Sequence, residues 1–281
     1  MAVLVDLQPL MIVSYKTLPE NEREERQFHH AFFDRLFNGV LPFHKEYGQV
    51  ILCAEGEGKS WRKEIYLEYK ANRRRGKTDD EQKDYEKMLG FFNELIKEIE
   101  LNKVFRVLKV DGAEADDIIG VLCSVAEKPT LIVSSDKDFQ QLQINKNIKQ
   151  YSLAYKKWVE CENPSDFLIE HIVRGDTSDN IPNIRKELYK EGELGSEKRA
   201  PITKKFLSEF MNGKNFDDYS RRFRENKKLI DLSQIPDEIK ERIVAEIGKE
   251  WHKDNKRAID YFRFYYGMGK FAEQYLTYGG F

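Results

Sequence analysis

Cysteine is scarce, with three in 281 residues at Cys53, Cys123 and Cys161. An odd number of thiols set far apart builds neither a disulfide framework nor a thiolate zinc site. A reducing cytoplasm is the compartment that such usage fits. Cys53 and Cys123 sit inside apolar runs and read as core residues. No apolar run approaches the roughly 20 residues of a membrane span. The N-terminus offers no basic region or small-residue cleavage site. Ala2-Val3-Leu4-Val5-Asp6 therefore reads as a first strand, not a signal peptide. Internal repeats and low-complexity tracts are absent. One-sided charge is absent too, since 47 basic residues face 49 acidic ones. What is present is core material: 40% of residues are hydrophobic and 12% aromatic, which excludes global disorder. Length alone, at about 150 residues per domain, suggests roughly two domains.

The balanced total hides a division. Residues 181–281 hold 21 basic and 17 acidic side chains, while the remainder holds 26 and 32. Four short apolar runs, at residues 3–5, 50–53, 104–110 and 131–134, read as strands covered on both faces. Amphipathic helices fall between them. One carries Tyr85, Met88, Leu89, Phe92, Leu95, Ile96 and Ile99 on a single stripe. Another opens near Glu114. The alternation predicts an α/β fold with a mostly parallel, doubly wound sheet. Beyond about residue 165 the pattern turns helical, at 167–173, 204–211, 239–247 and 258–266. The expected division is an α/β part at 1–183, with a basic arm at about 59–85, and a helical C-terminal region at 184–281.

Acids recur where the strands end. Asp6 closes the first run and Glu55 follows the second. Glu114, Asp116 and Asp117 follow the third, Asp136 and Asp138 the fourth, and Asp176 and Asp179 lie in a later turn. In an open parallel sheet these ends converge on one edge, where ligands bind. Two like charges about 4 Å apart repel by about 4 kcal/mol at an effective dielectric of about 20. Such a cluster raises carboxyl pKa values or binds cations. Acids without His or Cys suit hard ions such as magnesium or manganese. Two of these ions, roughly 3.5–4 Å apart, serve phosphodiester displacement. Taken singly, Glu114 to Asp117 could favour a helix N-terminus, and Asp136 could cap a helix.

Residues 59–77 hold eight basic and two acidic side chains, with Trp61, Tyr66 and Tyr69 among them. Lysine and arginine neutralise phosphates, and rings stack on unpaired bases. A solvated face is the alternative for such a run.

Trp61-Arg62-Lys63-Glu64-Ile65-Tyr66-Leu67-Glu68-Tyr69-Lys70-Ala71-Asn72-Arg73 resembles the arch segment of the 5′-nuclease, or flap endonuclease, family. Glu114-Ala115-Asp116-Asp117, Ser135-Asp136-Lys137-Asp138-Phe139 and Gly175-Asp176-Thr177-Ser178-Asp179-Asn180-Ile181 match its later metal motifs, in order. Residues 149–152, 156–159 and 261–266 are most similar to the T-even bacteriophage ribonuclease H branch. The resemblance covers nearly the whole chain and is dense through residue 183.

It implies a two-metal phosphodiesterase, a 5′-to-3′ exonuclease and flap endonuclease that removes RNA primers and 5′ flaps in phage replication. It places Asp6, Glu55, Glu114, Asp116 and Asp117 at one magnesium, with Glu114 and Asp117 able to act through water. Asp136, Asp138, Asp176 and Asp179 fall at the other, with manganese able to substitute. Lys70 and Arg73 match cations that reach the scissile phosphate. Arg62, Lys63, Tyr69, Asn72, Arg74 and Arg75 become nucleic-acid contacts, with Tyr69 stacking on a base. The implied substrates are RNA/DNA hybrid and nicked or flapped duplex. The implied partner is the phage single-stranded DNA-binding protein, reached through the aromatic C-terminal region. The implied state is a monomer in the cytoplasm of an infected bacterium.

Two features depart from the family pattern. Glu55 stands where aspartate is usual. The stretch after residue 181 lacks the glycine-rich helix–turn–helix, and duplex contact is expected at Lys198, Arg199, Lys204 and Lys205, with a plain surface loop as the alternative. Two further readings stay open: a nucleic-acid-binding accessory protein with a weakened site, and a PIN-like endoribonuclease. The C-terminal aromatics could equally form a small helical core.

Overall fold

The computed structural model describes residues 1–73, 78–185, 201–264 and 267–277. Among the described residues six strands make one sheet: β1 (Ala2–Asp6), β2 (Gln49–Cys53), β3 (Arg106–Leu108), β4 (Thr130–Val133), β5 (Ile148–Ser152) and β6 (Lys157–Val159). Their order is β3-β2-β1-β4-β5-β6, and only the β5–β6 pair is antiparallel. The four apolar runs supply β1 to β4. The β5–β6 hairpin at one edge is an addition to the expected sheet.

Helices α1 (Leu7–Lys16), α2 (Glu25–Arg35) and α3 (His44–Tyr47) lie between β1 and β2. Helices α4 (Arg62–Ile65) and α5 (Asp79–Leu101) precede β3, and α6 (Ala115–Ser124) leads to β4. After β6 come α7 (Pro164–Arg174), α8 (Lys204–Met211), α9 (Phe216–Ile230), α10 (Asp237–Gly248), α11 (Asn255–Phe264) and α12 (Gly269–Thr277). Thr78 and Glu81 start α5 with reciprocal bonds. Glu81 N–H donates to Thr78 Oγ1 (3.2 Å), and Thr78 N–H donates to Glu81 Oε2 (2.8 Å).

Successive strand residues face opposite ways, and both faces are covered. Val3 lies beside Val50 and Leu131, and Val5 beside Leu52 and Val133. That row packs on Phe28 and Phe32 of α2 and on Phe92 and Leu95 of α5. Leu4, beside Ile51 and Ile132, faces the other side with Ile118, Ile119, Ile239 and Ile243 of α6 and α10. The result is the expected three-layer arrangement. The C-terminal aromatics also turn inward. Tyr261, Phe262, Phe271 and Tyr275 join the first core, and the Phe37–Phe271 ring centroids are 5.2 Å apart. The small helical core is therefore one with the sheet's own core. Tyr265, Tyr266, Tyr278 and Phe281 lie outside the described residues. Among the described residues no helix is long and apolar enough to cross a membrane.

The sheet order reverses between β1 and β4. The carboxyl ends of these strands, with that of β2, open on one edge and place Asp6, Asp136 and Glu55 there.

Candidate metal centre and nuclease site

The site begins where β1 ends. Asp6 is buried and accepts a bond from Ser134 Oγ at 2.9 Å. Ser134 Oγ in turn accepts from Asp136 N–H at 3.1 Å. Asp136 does act as a cap: its Oδ1 accepts from Asp138 N–H at 2.9 Å and opens the 3-10 turn Lys137–Ile144. It nonetheless also lines the cleft. A cavity of about 440 Å³ brings together Asp6, Glu55, Lys70, Arg73, Glu114, Asp116 and Asp136. A larger, mostly apolar cavity of about 630 Å³ adjoins it and contains only Asp6 of these acids. Its size does not make it the reactive one.

Burial pushes the Asp6 carboxyl up to about 7, reinforced by Asp136 and Glu55 against Ser134 and Lys70. Asp116 rises well above the carboxylate range through burial and the nearby Asp6. Glu55 also rises, first by loss of water and then through Glu114 and Asp179. Its side chain is open to solvent, so screening weakens that shift. Glu114 moves the other way. Burial disfavours its charge, but Lys70 and Arg62 more than compensate and hold it low. Lys70 Nζ lies 2.5 Å from Glu114 Oε1, and Arg62 Nη1 lies 2.9 Å from Oε2. Tyr69 Oη donates to Glu114 Oε2 at 2.9 Å.

A second cluster lies beside the first. Ligand atoms of Asp138, His171 and Asp176 all fall within 4.8 Å of one another. Burial and Asp136 push Asp138 up to about 7. Bonds from His171, Ser178 and Lys137 overcome burial and hold Asp176 well below the carboxylate range. His171 was not legible as a site residue. Its one sequence signal is its position on α7, five residues before Asp176.

Other expected residues fall elsewhere. Asp117 is fully buried. Its Oδ2 accepts from Glu114 N–H (2.9 Å) and Trp61 Nε1 (3.1 Å), while Oδ1 pairs with Arg62 at 2.8 Å. It caps α6 and anchors the basic arm instead of facing the cleft. Asp179 accepts from Arg73 at 2.8 Å and shares the single Tyr69 hydroxyl proton with Glu114 at 3.0 Å, so its carboxylate is held by the arm.

The arm differs from expectation as well. Its described part holds the four-residue α4 and a 3-10 turn at Ala71–Arg73, folded onto the acids. Arg62, expected as a phosphate contact, is 3% exposed, and its guanidinium is bonded to Leu229 O, Glu114 and Asp117. Tyr69, expected to stack on a base, is 2% exposed with its hydroxyl engaged by Glu114 and Asp179. Trp61 is buried as well and packs in the core under α6. Asn72 Nδ2 donates to Thr177 O at 2.7 Å. Lys63 is half-exposed beside Glu55 and Ser60, and Lys204 and Lys205 are exposed on the first turn of α8. Arg74, Arg75, Lys198 and Arg199 lie outside the described residues.

The donors suit divalent cations. The first cleft offers carboxylate oxygens alone, and burial, reinforced by neighbouring acids, raises the pKa of Asp6 and Asp116 in the absence of a counter-charge. In the second cluster, Asp138 Oδ1 and His171 Nδ1 are buried without hydrogen-bond partners. Buried polar atoms left unpaired are costly, and a cation would satisfy both.

Known proteins match this chain in both sequence and fold. The ribonuclease H of Enterobacteria phage T4 is 32% identical over 213 residues, 70% of this chain and 69% of that one. DNA polymerase I of Lactococcus lactis subsp. cremoris is 28% identical over 279 residues, but the match takes up 29% of that longer protein. The flap endonuclease of bacteriophage T5, solved with DNA and metal ions, superposes with a TM-score of 0.60 over 99% of this chain and 98% of its own. At 17% identity that likeness shows the fold alone. Residues 1–169 match the 5′-3′ exonuclease, N-terminal resolvase-like domain family. With that match spanning more than half the chain, and the phage ribonuclease H beside it, the chain belongs to the 5′-nuclease (flap endonuclease) family and is a nuclease.

Proposed function

We propose that the chain is a metal-dependent 5′-to-3′ exonuclease and flap endonuclease of phage replication. Its substrates are RNA/DNA hybrid and nicked or flapped duplex. The observation that carries this reading is the single cleft shared by Asp6, Glu55, Glu114, Asp116, Asp136, Lys70 and Arg73. Two magnesium ions, with manganese as substitute, are assigned to the cleft and to the Asp138 cluster. When bound, they supply Lewis acidity and a template for in-line displacement.

The chain's own residues do the rest. Asp6 and Asp116, whose charge burial disfavours, would release their protons to solvent on holding a cation, and Asp136 would offer its carboxylate beside them. Lys70, kept charged by Glu114, Asp179 and Asp116 despite burial, offers its ammonium to a phosphoryl oxygen. Arg73 is held at the rim by Asp179 and meets the phosphate backbone next. Products carry 5′-phosphate and 3′-hydroxyl ends.

Residues 1–183 hold the chemistry in this reading. Residues 184–281 serve duplex and partner contacts, with Lys204 and Lys205 toward duplex. A phage single-stranded DNA-binding protein would meet exposed side chains of α11 and α12 such as Phe264 and Leu276. The protein acts as a monomer in the cytoplasm of the infected host. Labelled nicked and flapped duplexes, incubated with magnesium or with chelator, test the reading. Cleavage only with metal, yielding 5′-phosphates, is expected. Full activity in chelator overturns the mechanism. Binding without cleavage favours the weakened-site alternative, which Glu55 motivates. Cleavage of single-stranded RNA alone favours the PIN-like alternative.

A further inference from the structure

We propose that His171 is itself a metal ligand, through Nδ1, and that this nitrogen makes the second site, still open to magnesium, prefer transition-series ions when both are offered. The proposal rests on the two-metal reading above and deepens it.

Two groups in this cluster have exchanged the places that an acid-only site would give them. A carboxylate offers about four lone-pair positions. Those of Asp176 are filled by protein donors. Oδ1 accepts from Ser178 N–H (2.7 Å), Ser178 Oγ (2.5 Å) and Asp179 N–H (3.3 Å). Oδ2 takes His171 Nε2 and Lys137 Nζ, both at 3.0 Å. Little of Asp176 is left for a cation.

His171 is the reverse. It is 5% exposed, on α7, and its Nδ1 has no hydrogen-bond partner. Nε2 lies 3.0 Å from Asp176 Oδ2, so this bond assigns it the proton and leaves the Nδ1 lone pair free. A ligating histidine typically donates its other N–H to a carboxylate, which fixes the tautomer and strengthens the ligand. The His171–Asp176 bond supplies that arrangement.

The free nitrogen faces the right neighbour. Asp138 Oδ1 is also buried and unpartnered, and it lies 3.5 Å from His171 Nδ1. Imidazole nitrogen suits zinc, iron or nickel better than magnesium. Asp138 and His171 are thus the direct donors, and Asp176 is a positioning residue behind the imidazole.

Manganese serves as the spectroscopic probe. Electron spin-echo modulation of the Mn²⁺-loaded wild-type protein should show coupling to a ¹⁴N nucleus. His171→Gln and His171→Asn should both lose that coupling while still binding Mn²⁺ in the first cleft. By calorimetry, His171→Gln should weaken Zn²⁺ binding about tenfold or more and leave Mg²⁺ binding within about threefold. Circular dichroism melting checks that the variants fold. If neither does, the wild-type spectrum decides. Mn²⁺ bound without nitrogen coupling, or with coupling that survives both substitutions, overturns the proposal and leaves the two-metal reading standing. No Mn²⁺ binding at all overturns both.

Discussion

Lys70 has a left-handed backbone, with φ at 57°. For a residue with a Cβ this costs roughly 1–2 kcal/mol. Two bonds offset it: Lys70 N–H donates to Asp179 O at 2.9 Å, and Nζ holds Glu114. The strain aims an ammonium into the acid cleft. Lys70→Ala should lower the single-turnover cleavage rate by about a hundredfold or more, as loss of one transition-state donor does elsewhere. Affinity for a flapped duplex, read by fluorescence anisotropy in calcium, should change far less. A variant that cleaves normally but binds weakly would show Lys70 to be only a binding residue. Glu55 poses a different question. Next to it, Gly56 has no room to move, because a Cβ there would lie 1.9 Å from Val110 O. Its loop therefore cannot recede at that point, and the carboxylate adjusts from the exposed mouth of the cleft instead. Such a group has freedom to find a cation, so Glu55→Asp should change kcat by less than about tenfold, some 1.4 kcal/mol. A larger gain would mark the natural site as weakened.

Among the elements, the basic arm shows how tertiary contact overrides a local reading. Trp61, Arg62 and Tyr69 carry the composition of a nucleic-acid surface. Folding pairs them with Asp117, Glu114 and Asp179, which are 45 to 110 residues away in sequence. No local spacing could announce those partners. The same limit hid His171, whose value depends on Asp138 and on its bond to Asp176. By contrast, β1, β2 and β4 were legible because burial on both faces demands unbroken apolar runs. Strand β5 was not, since buried Gln150 bonds the carbonyls of Ser134 (3.0 Å) and Asp136 (2.6 Å) and breaks the run. Helix α9 escaped for a similar reason, being rich in Arg, Lys and Asp along a mostly solvent-facing surface. The loop after β2 gives a test at this scale. Gly56→Ala drives a methyl into backbone, so the loop must move off the segment after β3 that carries Val110. Stability should fall by more than about 2 kcal/mol in urea unfolding. Unchanged stability would mean that the close approach at Gly56 is absent.

At the scale of the molecule, the crowded acids tie stability to pH and to metal. Asp6 titrates near 3.8 when unfolded and at about 7 when folded. Between those values the native state binds more protons than the unfolded one, so metal-free stability falls as pH rises from about 4 to 7. Asp138 acts in the same direction. A divalent ion displaces those protons and binds only the folded protein. The rise in melting temperature on adding magnesium or manganese should thus be larger at pH 8 than at pH 5. Equal increments would refute the linkage. The core supplies a second test. Phe271 is fully buried against Phe33, Phe37 and Phe262, so Phe271→Ala should cost about 3–5 kcal/mol. An acid edge and an α/β alternation could be read from the linear chain, but this closure of α12 onto α2 could not, because no local spacing announces a partner 238 residues away. It also sets a clock on biosynthesis. Phe33 and Phe271 are 238 residues apart, and translation at about 5–20 residues per second separates them by roughly 12–48 s. During that interval the rings of α2 wait for their partners. The hydrophobic face beside the sheet stays open on the ribosome, so the nuclease cannot reach its finished shape while its earlier half is emerging.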